Sequence, residues 1–229
     1  NYIKAFSNSD FLNALWFSVK FTVVSVITIN IIAFILAMIL TKGLKGTNLF
    51  RTVFFMPNLI GGIVLGYIWQ LIINGILSFA GVTITYDAKY GFWGLVLLIN
   101  WQLIGYMMII YIAGIQNISP SVMEAAKIDG ASRSQILRKV IIPMVMPSVT
   151  ISVFLTLTNS FKLFDQNLAL TAGEPSKMTE MLALNIFNTF YGRTGFEGVG
   201  QAKAVIFFVL VAVIALLQLY YTRKREVQA

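Results

Sequence analysis

The chain has 229 residues, 58% of them hydrophobic and 11% charged, a net charge of +8, and neither cysteine nor histidine. So apolar a composition excludes a soluble domain of this length and points to an all-α, polytopic membrane protein. Without cysteine or histidine there are no disulfides, no thiol chemistry and no imidazole acid–base or metal sites.

Residues 1–20 mix Lys4, Asp10, aromatic and small polar side chains, and read as an external, interfacial segment. Span one is Phe21–Leu40, uncharged between Lys20 and Lys42. At about 1.5 Å per residue it covers roughly 30 Å, the thickness of a bilayer's hydrocarbon core. Span two runs from Thr52 to Ile73, with a kink predicted at Pro57 and Asn58 and a small face of Gly61, Gly62 and Gly66 for close helix approach. A weakly polar loop, 74–91, leads to span three, Phe92–Ile115, which opens on an interfacial Trp93 and holds Asn100 and Gln102.

The next connection reads as ordered helix rather than loop. Ser119 and Pro120 suit a helix start, and Glu124 sits in the second turn, where the helix dipole favours a carboxylate. Gly130 can take the left-handed angles of a helix stop, and Ser132 with Gln135 forms a capping-box pattern that restarts a helix. Ile136, Leu137, Val140 and Ile141 then share one face, leaving Arg133, Arg138 and Lys139 for the other, before Pro143 and Pro147. Span four is Ser148–Leu170, residues 171–200 are polar and glycine-rich, and span five is Ala204–Tyr221. Residues 21–222 therefore form one transmembrane domain of five spans, followed by a tail, 223–229, that opens on Arg223, Lys224 and Arg225.

Five spans alternate the loops between two sides. One side gathers Lys42, Lys45, Arg51, Lys127, Arg133, Arg138, Lys139 and the basic tail; the other holds Lys4, Lys89, Lys177, Arg193 and Lys203. The positive-inside rule puts the first set, with the connection between spans three and four, in the cytoplasm. It also accounts for the positive charge without nucleic acid, since the basic residues are spread over short loops.

No phosphate-binding loop of the Gly-x-x-x-x-Gly-Lys-Ser/Thr kind occurs, so a nucleotide that powered transport would bind another subunit. No nucleophile elbow or clustered carboxylates suggest an enzyme. Polar groups inside spans are the functional candidates. In span four Asn159, Lys162, Asp165 and Gln166 fall on roughly one helical face, with Asp165 in reach of Lys162, and such a stripe suits the hydroxyls of a sugar. The plainer reading of that pair is an internal ion pair with Lys162 reaching outward to the interface. For the connecting helices, the plainer reading is an amphipathic surface helix on lipid headgroups. An ion-gradient-driven secondary transporter is the alternative function, with Lys162 and Asp165 as a proton relay.

Glu124, Ala125, Ala126, Gly130 and Pro143 match a family pattern. It runs Glu-Ala-Ala, three residues, Gly, nine residues, Ile-x-Leu-Pro, with Val140 and Ile142 here in place of Ile and Leu. The stretch resembles the cytoplasmic signature loop of binding-protein-dependent ABC transporter permeases, type I importers. The segment from Phe161–Gln166 through Leu170–Pro175 resembles the corresponding region of the carbohydrate-uptake branch, with Ala172 and Glu174 departing from its more usual Thr-Gly-Gly-Gly-Pro. The resemblance implies a prokaryotic cell-membrane subunit that forms part of a sugar pathway. It implies that Glu124–Pro143 is a coupling helix docking on cytoplasmic ATPase subunits, which carry ATP and Mg, with no cofactor in this chain. It further implies a second permease chain and an external or periplasmic solute-binding protein that delivers to loops 74–91 and 171–200. Similar permeases carry one more span ahead of the point where this chain begins, so a preceding span is expected.

Overall fold

The computed structural model describes residues 1–226, so the last three residues of the tail 223–229 lie outside the described residues. Twelve helices succeed one another, with no strand among the described residues. They are α1 (Tyr2–Phe6), α2 (Ser9–Leu40), α3 (Thr47–Phe55), α4 (Gly62–Leu77), α5 (Ala88–Gln116), α6 (Pro120–Ile128), α7 (Arg133–Ile136), α8 (Ile142–Met144), α9 (Met146–Phe161), α10 (Asp165–Leu170), α11 (Leu182–Tyr191) and α12 (Glu197–Arg223). Four helices are long and apolar enough to cross a membrane alone: α2, α4 with its adjoining turn, α5 and α12. Arg133–Met144 and Met146–Phe161, bent by 66°, are long and apolar enough only when taken together, which makes four to five spans.

Three expectations change. The surface segment 1–20 is in fact two pieces, α1 and the first part of α2. Asn8 starts α2 by accepting the Phe11 N–H at 3.0 Å, and no glycine or proline interrupts the helix before Leu40. At 1.5 Å per residue α2 is about 48 Å long, so Ser9–Lys20 extends the span past the hydrocarbon core. Span two is not one kinked helix. A 3₁₀ turn, Met56–Leu59, and extended backbone at Ile60 and Gly61 separate α3 from α4. Span four is likewise interrupted, because α9 stops at Phe161 and α10 starts at Asp165.

Of the three glycines expected to form a close-packing face in span two, Gly62 and Gly66 serve α10, whereas a β-carbon on Gly61 would meet nothing within 4 Å. A β-carbon on Gly62 would lie 2.7 Å from Asp165 Cβ, and one on Gly66 would lie 2.6 Å from Ala169 Cβ. Gly105 on α5 makes the same room for α3, since a β-carbon there would collide with the Phe54 carbonyl. Close approach without side chains is how helices gain packing contacts in lipid.

α5 is the hub, burying Leu95, Leu98, Ile99, Met107, Met108 and Tyr111. It meets a stripe on α2 of Ser18, Thr22, Ser25, Ile29, Ala33 and Ala37, recurring every three or four residues. A polar node ties three helices: the Tyr111 hydroxyl donates to Asn30 Oδ1 at 2.7 Å, and Asn30 Nδ2 donates to Thr156 Oγ1 at 3.3 Å. At one end of the bundle, Trp16 and Trp93 are 64% and 60% exposed, and Phe17 and Phe92 beside them stack edge to face at 5.7 Å. Tyr220 and Tyr221 are exposed near the end of α12. Such aromatic belts mark membrane–water boundaries.

Candidate functional site: a protruding helix pair and a polar cavity

The connection after α5 folds as helix, glycine break, helix. Gly130 has φ +74°, and a β-carbon there would meet nothing within 4 Å, so backbone conformation alone calls for glycine. The Ala131 N–H donates to the Ala126 carbonyl and the Gly130 N–H to the Lys127 carbonyl, each at 3.0 Å, which satisfies the last carbonyls of α6. The capping box then forms. Ser132 N–H donates to Gln135 Oε1 at 2.7 Å, and Gln135 N–H donates to Ser132 Oγ at 3.3 Å. Leu137–Ile141 widens into a π turn before Pro143, which has no N–H to return to the carbonyl four residues back. The 66° bend comes next.

Ile136 and Ile141 are buried, and Met123, Ala126, Ala131, Leu137 and Val140 pack against the main core. Glu124, Ala125 and Lys127 face outward, and Ile128 is 85% exposed. The two alanines therefore differ: Ala125 lies on the free face, whereas Ala126 leans on the chain's own core.

The second site lies where spans two and four are interrupted. Asn58, Gln102, Tyr106, Asn159, Lys162 and Gln166, with Ile99, Leu103 and Leu163, line a cavity of about 470 Å³. Gln166 Nε2 donates to Gln102 Oε1 at 2.8 Å, joining α10 to α5. Of the expected stripe, Asn159, Lys162 and Gln166 come together, but not through one helical face. α9 closes with the Lys162 N–H on the Thr158 carbonyl at 3.2 Å, and the chain turns before α10. Asp165 is carried away to Gly62 and is not part of the lining. The ion pairs among the described residues join Lys89 to Asp87 and Lys177 to Asp10, so Lys162 and Asp165 form none.

The interruption has a physical cause. Thr156 and Thr158 hydroxyls donate to the carbonyls four residues back, at 2.7 and 3.0 Å, which weakens a helix. Asn167 anchors the chain beyond the break, donating to the Thr179 carbonyl at 2.8 Å and accepting the Met181 N–H at 2.9 Å. Asn100, a polar group of span three, turns to the Val96 carbonyl of its own helix at 2.8 Å and does not line the cavity. Tyr106 was missed; it stands one helical turn beyond Gln102 on α5, and that spacing was the available signal.

Residues 29–227 match the family described as binding-protein-dependent transport system inner membrane component. The chain belongs to this family. It is 44% identical to the "Probable starch degradation products transport system permease protein AmyD" of Thermoanaerobacterium thermosulfurigenes, over 100% of this chain and 80% of that one. It is 27% identical to the "Multiple sugar-binding transport system permease protein MsmF" of Streptococcus mutans, over 99% and 81%. Among solved structures, a bacterial ABC transporter involved in the import of alginate shares the fold, with a TM-score of 0.83, 18% identity and coverage of 97% and 82%.

At the end away from α6, the permease closes residues 171–181 with buried polar bonds. Lys203, grouped above with the basic residues of one side, lies inside α12 and is 1% exposed. Its Nζ donates to Asn185 Oδ1 and Thr189 Oγ1, both at 2.9 Å, and sits 5.2 Å from the centre of the Phe11 ring. Asn185 and Asn188 donate in turn to the two oxygens of Glu180, at 2.7 and 2.6 Å. The Asn185 amide thus bridges a buried ammonium and a buried carboxylate, fixing α11 to α12 and to the segment 171–181.

Proposed function

We propose that this permease is the membrane subunit of an ATP-driven importer for a sugar or oligosaccharide, with the cavity of Asn58, Gln102, Tyr106, Asn159, Lys162 and Gln166 as a point on the solute's path. The observation that carries this reading is the cavity's lining. It offers amides, a phenol and one ammonium, and no carboxylate. Such groups donate to and accept from hydroxyls, and the volume falls in the range of roughly 300–1,000 Å³ typical of small-molecule sites. The starch-product and multiple-sugar transport named for the two relatives supports the same solute class. The ion-gradient alternative rested on a Lys162–Asp165 relay, and the pair is not formed.

In this reading Glu124–Pro143 docks on a cytoplasmic ATPase subunit, which carries ATP and Mg. Glu124, Ala125 and Ile128 form the contact, and Gly130 and Pro143 set the angles that pass its motion to the bend. Burying an isoleucine as open as Ile128 would contribute about 2 kcal/mol to docking. A second permease chain completes the pathway, and a solute-binding protein delivers at the opposite end, near loops 74–91 and 171–200. The coupling loop and C-terminus are cytoplasmic by the distribution of lysine and arginine. Residues 21–222 act as one transmembrane domain. The test is uptake of labelled maltodextrins into vesicles holding the assembled complex. Uptake that requires ATP and survives an uncoupler is expected; uptake abolished by the uncoupler alone would refute it.

A further inference from the structure

We propose that a groove between the outer end of α2 and residues 176–178 binds the headgroup of an anionic glycerophospholipid, with Lys20 and Lys177 on its phosphodiester. The groove measures about 280 Å³ and is lined by Trp16, Phe17, Lys20, Ser176, Lys177 and Met178, with Asp10 and Asn13 at its polar side. It is separate from the sugar cavity and does not depend on the transport reading.

Position comes first. The uncharged run of span one starts at Phe21, immediately after Lys20. Exposed Trp16 and Trp93 are held at one level by the Phe17–Phe92 stack, and two such tryptophans place this level at the membrane–water boundary. A ligand here is presented by the bilayer itself.

Charge and shape agree with that source. Lys177 Nζ pairs with Asp10 at 2.7 Å, whereas Lys20 forms no ion pair among the described residues. The groove thus keeps one uncompensated positive charge, which matches the single negative charge of a phosphodiester. Lys177 retains donors beyond the one given to Asp10. Trp16, Phe17 and Met178 supply an apolar wall for the glycerol and the first acyl carbons.

The loop is also preorganised. Ser176 and Lys177 have φ of 49° and 61°, left-handed values that non-glycine residues adopt at a cost. They are held there by the Ser176 N–H on Glu174 Oε2 at 2.9 Å and by Thr179 Oγ1 on the Glu174 carbonyl at 2.6 Å. A strained loop fixed by its neighbours presents Lys177 with little further ordering to lose on binding.

The test uses the full chain with its co-purifying subunits in nanodiscs of phosphatidylcholine doped with phosphatidylglycerol, counting retained lipids by native mass spectrometry. Wild-type protein should retain phosphatidylglycerol about fivefold over its share in the disc, as one lysine at a membrane surface gives. Lys20→Met should bring retention to parity, Trp16→Ala should lower the number of lipids retained, Lys20→Arg should keep the preference, and Lys89→Met, an exposed lysine outside the groove, should not alter it. If Lys20→Met does not fold, the wild-type preference must still fall as salt is raised. Equal retention of both lipids by wild type, a preference that survives Lys20→Met or high salt, or equal displacement of the lipid by inorganic phosphate would each overturn the proposal.

Discussion

Lys162 and Asp165 stand three residues apart and in different surroundings. Lys162 opens into the cavity beside Asn159 and Gln166, and Asp165 faces Gly62. Lys162→Leu removes a charge-assisted hydrogen bond worth about 1.5–3 kcal/mol, so the KM for sugar uptake should rise at least tenfold with basal ATPase unchanged. Asp165→Asn should leave that KM within about twofold, because the side chain is outside the lining. Uptake kinetics of the two variants in proteoliposomes separate them; equal effects would restore the paired reading. Gly130→Ala should cost about 1 kcal/mol, entirely from the backbone, since the new methyl meets nothing. A thermal melt would show it as a shift of a few degrees without loss of insertion.

Among elements, the two alanines of the signature loop make opposite predictions. Ala125→Trp should leave the melting temperature in place and abolish co-purification of the ATPase. Ala126→Trp should lower the melting temperature, because α6 rests on the core through that face. Loss of the ATPase by both variants at unchanged stability would contradict this division of faces. Gly66→Leu should separate α4 from α10, where even a β-carbon would lie 2.6 Å from Ala169, and destabilise the chain by about 1–3 kcal/mol. How far these elements were legible in the sequence depends on how easily each signal is imitated. A long uncharged run such as Phe21–Leu40 has few uses other than crossing a bilayer, so the spans were readable. Ser132 with Gln135 and Gly130 are local devices and formed where expected. The stop at Lys162 has no glycine or proline to announce it. It depends on Asn167 binding Thr179 and Met181, partners outside any helical window, so continuity was assumed and Asp165 was misplaced. Lys162, Asn159 and Gln166 were legible because polar groups are conspicuous among apolar ones. Tyr106 was not, because a tyrosine in a membrane helix reads as one more aromatic.

For the whole molecule, the two proposed sites lie in one connected body: the protruding helix pair leads through the 66° bend into α9, and α9 ends at the cavity. Replacing Val145 at the bend by glycine should therefore loosen the link, lowering sugar-stimulated ATPase while leaving basal ATPase and ATPase co-purification intact. Stimulated activity at the wild-type level would show that the bend carries no load. Two walls of the cavity, moreover, finish where the helical ladder is already interrupted, at Ile60–Gly61 and at Lys162–Phe164, against a third, α5, that is continuous. Widening or narrowing the space between them rotates a few backbone torsions and breaks no intrahelical bond. In the proposed import cycle the barrier to such a motion would lie in side-chain repacking and in the Gln166–Gln102 bond, not in unwinding either helix.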